Sequence, residues 1–409
     1  MFLYRLLLII FSPLLLGHII WKSVSNNQGR YFRQRLGFNY PDIPDKCLWF
    51  HCASVGEVNT LLPLLKALHL KNDQLSFLIT SNTITGGKIV GQQKLAYLLH
   101  SYLPFDWRFS VSRFLTKTKP ATLYVLETEI WPNLFDLCQQ RGVDIHMINA
   151  RLSSKTTSAK PWIKALLRSS LSRVDSISAR SEQDTRAYET LGADKNKINT
   201  IGNLKFTTAL HTGQAAEENY FSIDRGYVLV ASTHDDEEIQ IQNVWKKLGR
   251  DELLIIVPRH PERGPAISKR LDSDNIAIRS KQQTITGKTE IFLLDTVGEL
   301  KNYFANAKLV IMGGSFVPVG GHNILEPASF NKAIITGPFM ENFREELKLM
   351  LEKKAIVQTH SIDELQKQLI TLLDDDEQRK TLEKNTALLS HDVEKVLTDY
   401  SALILSRSG

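Results

Sequence analysis

The stretch Cys47–Leu70, "CLWFHCASVGEVNTLLPLLKALHL", decides the fold. Its first eight residues form an apolar run of strand length. A glycine follows, and then leucines recur at the spacing of one helix face. Strand, tight turn and helix in that order are the first half of a βαβ unit. Glu57 sits at the turn and has two readings. With Ser54 it matches a capping box, in which hydroxyl and carboxylate satisfy free N–H groups at the helix start. Alternatively, a carboxylate at a strand end is placed to take a proton from a bound substrate.

The same alternation runs through the chain on both sides of this unit. In the first half, "LSFLITSNT", "YLLHSYLP", "ATLYVLET", "IHMINARLS", "SISARS" and "INTIGNLKF" read as strands, with helical patterns such as "WPNLFDLCQQRG" and "PWIKALLRSSLSRV" between them. A polar interval over residues 207–226 breaks the rhythm. It then restarts with "YVLVAST", "ELLIIVPR", "NIAIRS", "TEIFLLDT", "AKLVIMGGS", "KAIITGP" and "AIVQTH", and the chain finishes on helical pattern. The fold class expected is α/β, with two doubly wound Rossmann-like domains facing across a cleft. The expected boundaries are 46–206 for the first domain, 207–226 for the linker and 227–409 for the second. A length of 409 residues suits two cores better than one.

Composition narrows the function. The chain is 43% hydrophobic and 23% charged, with 50 basic against 44 acidic residues, a net charge of +6. So small an excess does not point to nucleic acid and suits an anionic small substrate or an anionic membrane. Cys47, Cys52 and Cys138 form no CxxC pair, and sparse thiols read as reduced and cytosolic. Residues 1–21, "MFLYRLLLIIFSPLLLGHIIW", form an apolar run of bilayer length carrying only Arg5. A cleaved signal peptide is the rival reading. The basic residues Lys22, Arg30, Arg33 and Arg35 that follow favour a retained membrane anchor with the rest of the chain on the cytoplasmic side. Residues 22–45 read as a basic, aromatic segment at the headgroups.

In doubly wound sheets, ligands bind beyond the carboxyl ends of the strands. Three segments of the second half lie there. "PRHPER" sets Arg259 and His260 in a stiff cationic loop suited to an anion, unless its arginines merely pair with nearby acids. Thr296-Val297-Gly298-Glu299 is a second capping-box pattern, with a glycine that lets a ligand approach. Gly313-Gly314-Ser315 and Gly320-Gly321-His322-Asn323 precede a short helix through Ile324, Leu325 and Glu326. Paired glycines there offer N–H groups to a phosphate, and a carboxylate one turn in can accept from a ribose diol. In the first half, Glu127 and Glu129 in "ETEIWPN" would point the same way on extended backbone. Lys205 ends the last strand before the linker. The spacings match neither GxGxxG nor a P-loop, and no His or Cys joins the carboxylates at metal-ligand spacing.

"SVGE", "ETEIWPN", "NARLS", "GNLKF", "PRHPER" and "GGHNILEP", in that order, resemble the 3-deoxy-D-manno-oct-2-ulosonic acid (Kdo) transferases of lipopolysaccharide synthesis. The resemblance spans nearly the whole chain. It implies a GT-B fold and an inverting, metal-independent transfer of Kdo from CMP-Kdo to a lipid A precursor, at the cytoplasmic face of a bacterial inner membrane and with no cofactor. It implies Glu57 as general base, transition-state roles for Glu127 and Lys205, and CMP contacts from Arg259 and His260, from Val297, Gly298 and Glu299, and from Asn323, Ile324, Leu325 and Glu326. Another nucleotide-sugar enzyme of the same fold, or a membrane-tethered binding module without turnover, are the alternatives. A module would need no base at Glu57.

Overall fold

A computed structural model of the chain describes residues 1–44, 47–207 and 223–407. Most of the expected linker therefore lies outside the described residues. The chain divides into two units, Met1–Thr208 with Lys395–Gly409, and Ala209–Glu394. The second domain was expected to run to 409. Instead its last helix, Asp376–Leu405, carries the chain back, and its end belongs to the first unit.

The first unit holds a seven-stranded parallel sheet: β1 (Cys47–Cys52), β2 (Ser76–Ser81), β3 (Leu98–Tyr102), β4 (Thr122–Leu126), β5 (Asp144–Ala150), β6 (Ser176–Ala179) and β7 (Ile198–Thr200), in the order β3-β2-β1-β4-β5-β6-β7. Every residue of β1 is buried because helices cover both faces. The period of two sends Trp49 to one core, with Leu78, Phe114 and Val125. It sends Phe50 and Cys52 to the other, with Leu61, Leu64 and Leu65 of the helix Val55–Lys71. Leu397, Tyr400 and Ile404 of the returning helix complete that second core, which explains the domain boundary. Buried residues of this kind contribute about 1.5–3 kcal/mol each.

The second unit repeats the plan with β8 (Tyr227–Thr233), β9 (Leu253–Pro258), β10 (Ile276–Ile278), β11 (Ile291–Leu293), β12 (Leu309–Met312), β13 (Ile334–Thr336) and β14 (Val357–Gln358), in the order β10-β11-β9-β8-β12-β13-β14. All its pairings are parallel. Each strand run read from the sequence overlaps one of these fourteen strands. The strand orders reverse between β1 and β4 and between β8 and β12. A doubly wound sheet opens its crevice at such a point.

The N-terminus departs from expectation. The helix Phe2–Ser25 is long and apolar enough to cross a membrane, yet one side of it is docked on the first unit. The Tyr4 hydroxyl donates to Asp106 at 2.7 Å, and Arg5 pairs with Asp136 at 2.8 Å. Ile19 is fully buried with Tyr31, Tyr102 and Trp107. Arg35, expected at the headgroups, is a core residue. Its guanidinium donates to the Leu103 carbonyl at 2.7 Å and to Asn82 at 3.0 Å, and stacks over Phe105. Both acceptors are taken by Nη1, while the buried Nε has no hydrogen-bond partner among the described residues.

Candidate active site

At the reversal point of the first sheet, β1 ends at Cys52 and the chain turns into the helix Val55–Lys71. Ser54 caps that helix and accepts from the Glu57 N–H at 3.3 Å. In return the Glu57 carboxylate accepts from the Ser54 hydroxyl at 3.0 Å and the Ala53 N–H at 2.8 Å. This is a capping box whose carboxylate reaches back to the residue before the cap. The side chain is nearly buried, at 9% exposure. Burial pushes its carboxyl up to about 7. The neighbouring Glu127 and Glu129 charges push the same way, against the hydrogen bonds from Ala53 and Ser54. The capping reading thus holds geometrically, and the carboxylate it creates is poised near neutral pH.

β4 ends beside it. Glu127 adopts φ +57°, a left-handed conformation for a non-glycine residue, so the segment is not the extended backbone expected there. Glu127 pairs with Arg151 at 2.7 Å, while Glu129 approaches His51 at 3.7 Å and accepts from Asn82 at 3.2 Å. Burial would raise the Glu129 carboxyl, but His51 and the donors around it outweigh that and hold it below the usual carboxylate range. Lys205 is exposed. It does not end a strand: β7 stops at Thr200, and Lys205 begins a helical turn. Its backbone N–H is held by Asn203 at 3.0 Å, and the next residue back, Leu204, donates to Asn149 at 3.0 Å. The buried Tyr400 hydroxyl accepts from the Asn149 N–H at 3.1 Å and lies 3.2 Å from the Gly202 carbonyl. The returning helix therefore fixes the strand-end segments that carry "NARLS" and "GNLKF".

The reversal point of the second sheet has a different character. Glu237, fully buried, accepts from the N–H groups of His234 at 2.8 Å, Gly314 at 2.7 Å and Phe316 at 2.8 Å. The Gly321 N–H is also taken, by the Gly314 carbonyl at 2.8 Å. The paired glycines therefore do not offer these N–H groups to a phosphate as expected. Gly313 is required by close approach: a Cβ there would lie 2.7 Å from the backbone of Ser232 and Thr233.

Side chains face this point instead, with Arg259 as the cation beside a histidine pair. Nε2 of His234 and Nε2 of His322 are 2.8 Å apart in rings tilted by only 10°, so one donates and the other accepts. Burial pushes His322 down to about 4, with His234, Arg259 and His260 adding to it, and burial likewise lowers His234. His260 sits edge-on to His234 with centroids 5.8 Å apart. Among the described residues the exposed Arg259 side chain has no ion-pair partner. Arg263 behaves as the bland reading expected, pairing with Glu238 at 2.9 Å and Asp235 at 3.1 Å.

Val297 is exposed and Gly298 adopts φ +87°. Glu299 accepts from Thr296 at 2.7 Å and from Arg279 at 2.9 Å. Asn323 accepts from the Leu325 N–H at 3.2 Å, and Ile324 and Leu325 are buried at the start of the helix Leu325–Ala328. Burial raises the Glu326 carboxyl, against the opposing effect of the Lys301 charge. Arg151, His234, Glu237 and His322 were not assigned site roles from sequence. Arg151 and His322 lay in quoted motifs, whereas no local pattern marks His234 or Glu237.

The family described as 3-Deoxy-D-manno-octulosonic-acid transferase (kdotransferase) matches residues 30–208, and that of Glycosyl transferases group 1 matches residues 274–388. The 3-deoxy-D-manno-octulosonic acid transferase of Haemophilus influenzae is 34% identical over 396 residues, 93% of this chain and 92% of that protein. The chain belongs to the Kdo transferase family. It is a glycosyltransferase of lipopolysaccharide biosynthesis. The enzyme of the same description from Rickettsia felis is 31% identical, over 87% of this chain and 78% of its own length. Among solved structures, UDP-GlcNAc 2-epimerase from Neisseria meningitidis bound to UDP-GlcNAc superposes with a TM-score of 0.56 at 13% identity. The match covers 88% of this chain and all of that one, a likeness of fold alone. Two Rossmann-like parallel sheets in one chain make this Kdo transferase GT-B-like.

Proposed function

We propose that the chain transfers Kdo from CMP-Kdo to a hydroxyl of the lipid A precursor lipid IVA, one or more units per acceptor, with inversion and Glu57 as general base. The observation that carries this is the Glu57 carboxyl, held at a strand end by Ala53 and Ser54 and raised to about 7. In the proposed step the acceptor oxygen forms a bond to the anomeric carbon. The bond from that carbon to the CMP phosphate breaks from the opposite face, and the hydroxyl proton passes to Glu57. A group with a pKa near the working pH is ionised often enough to act and basic enough to accept.

The leaving group is already a stabilised phosphate, so no metal or acid is needed to assist it. Arg259 and the histidines around it would take up its charge. In the same reading His260, Val297, Gly298, Glu299, Asn323, Ile324 and Leu325 line the CMP, and Glu326 accepts from its ribose. Glu127, oriented by Arg151, and Lys205 act at the transferring sugar, where Lys205 would partner the Kdo carboxylate. Neither a cofactor nor a nucleic acid takes part. The enzyme would work at the cytoplasmic face of the inner membrane, attached through its N-terminal helix.

Incubation with CMP-Kdo and tetraacyl lipid A precursor, with and without EDTA, and mass spectrometry of the product, tests the reading. It expects added Kdo mass in both arms. No product from CMP-Kdo would overturn the reaction, and loss of product only with EDTA would overturn metal independence.

A further inference from the structure

The helix Phe2–Ser25 is docked along its whole length, not at one end. Its partly or fully buried positions include Tyr4, Leu8, Leu15, Leu16, Ile19 and Ser23, a stripe at the three-to-four spacing of one helix face. From Tyr4 to Ser23 that stripe covers roughly 28 Å at 1.5 Å per residue, about the thickness of a bilayer core. No undocked length is left to cross a membrane. If the helix did cross, its docking partners would enter the hydrocarbon with it. Those include Asp106, which binds Tyr4, and Asp136, which binds Arg5, Arg108 and Arg173. Charged groups at that depth are costly and would gain nothing there.

The opposite side of the same helix is apolar from end to end. Phe2 is 82% exposed, Leu14 71% and Trp21 66%, with Ile9 and Ile10 between them. A continuous apolar strip of this length exceeds what soluble chains leave facing water. It continues onto the body of the first unit. Phe109 is exposed and stacks on Trp107, which belongs to the cluster that receives the helix, and Arg113 lies over both Phe38 and Phe109. Exposed Arg30 and Arg33 follow the helix directly. An apolar strip with an interfacial tryptophan and bordering arginines complements one leaflet of an anionic bilayer.

We infer that the N-terminal helix lies in the plane of the membrane, its apolar side sunk into one leaflet and its other side fastened to the first unit, and does not span the bilayer. The inference rests on the proposed membrane attachment. It places both ends of the helix on one side of the membrane. It also seats the first unit, with Glu57, directly against the surface that holds a lipid acceptor.

Sealed inverted inner-membrane vesicles test it. The three native cysteines are buried and set the background. Variants of the full chain with a cysteine in a short polar extension ahead of Met1, or with Asn26→Cys, are treated with a membrane-impermeant maleimide before and after detergent. Both sites should be labelled before detergent, within about twofold of each other. A bimane placed in turn at Leu3, Ile10 and Ile20 should be quenched at one common, shallow depth by lipids brominated at different positions. Labelling at Asn26→Cys alone until detergent is added, with Ile10 much deeper than Leu3 and Ile20, would establish a spanning helix. That result would overturn the inference and leave the membrane attachment standing. Recovery of the chain in the supernatant, as a monomer or a discrete oligomer without lipid, would overturn the attachment itself.

Discussion

The two reversal points share a strand order and differ in charge. Between β1 and β4 the side chains are carboxylates, Glu57, Glu127 and Glu129, each held by specific donors. Between β8 and β12 they are Arg259 and three histidines, and the one buried carboxylate, Glu237, is wholly engaged by backbone N–H groups. The same topology thus gathers carboxylates at the reversal point of one unit and an arginine with histidines at that of the other. Burial has a different consequence at each. Glu57 is raised into the range where a carboxylate works as a base, while Glu237 becomes a structural tie between two strand ends.

The largest test of that contrast is Glu57→Gln. It should lower kcat by roughly 10²–10⁴ while CMP-Kdo binding stays within about twofold, because the amide keeps the shape and loses the proton acceptor. Steady-state kinetics alongside calorimetric titration would check it; wild-type kcat would reduce Glu57 to a cap.

Glu237→Ala should act on stability instead. It strands the N–H groups of His234, Gly314 and Phe316, at about 1–3 kcal/mol for each that water cannot reach. Thermal melts should show a Tm lower by several degrees or more. An unchanged Tm would mean that Glu237 is no tie.

Next in size, Arg259→Ala and Glu326→Ala should weaken CMP-Kdo binding by about tenfold, the scale of one charge-assisted contact. Glu127→Ala should mainly lower kcat. Equal loss of nucleotide affinity in all three would erase the division between the sites.

The smallest effect concerns pH. Glu57 has its folded pKa raised from 4.5 to about 7, so between those values the folded chain holds a proton that the unfolded chain has released. Stability from this group is present below pH 4.5 and falls as pH rises to about 7. Glu57→Gln should therefore melt relatively higher at pH 8 than at pH 4.5, by on the order of 1–3 kcal/mol across the range. Turnover of the native enzyme should climb through the same interval as Glu57 ionises. A pH-independent difference in stability would show that the carboxyl is not raised.

The sequence by itself determined the strands, the turn chemistry at their ends and the cap at Glu57. Each is set by residues within a few positions of one another: a period of two or 3.6, a Ser three residues before a Glu, a glycine where backbones meet. What only the tertiary structure decided depends on partners far along the chain. His234 meets His322 across 88 positions, and the Tyr400 hydroxyl reaches Asn149 across 251. Arg35 is drawn inside by the Leu103 carbonyl and the Phe105 ring, although its neighbours in sequence read as a headgroup segment. The glycine N–H groups after β12 looked open to a phosphate, but Glu237 takes that of Gly314 from another strand end and backbone carbonyls take those of Gly313 and Gly321. An apolar run of bilayer length carries no sign of whether lipid or protein will cover each of its sides. Length and hydropathy are properties of the run, but Asp106 and Asp136, which hold this one down, come from elsewhere in the fold.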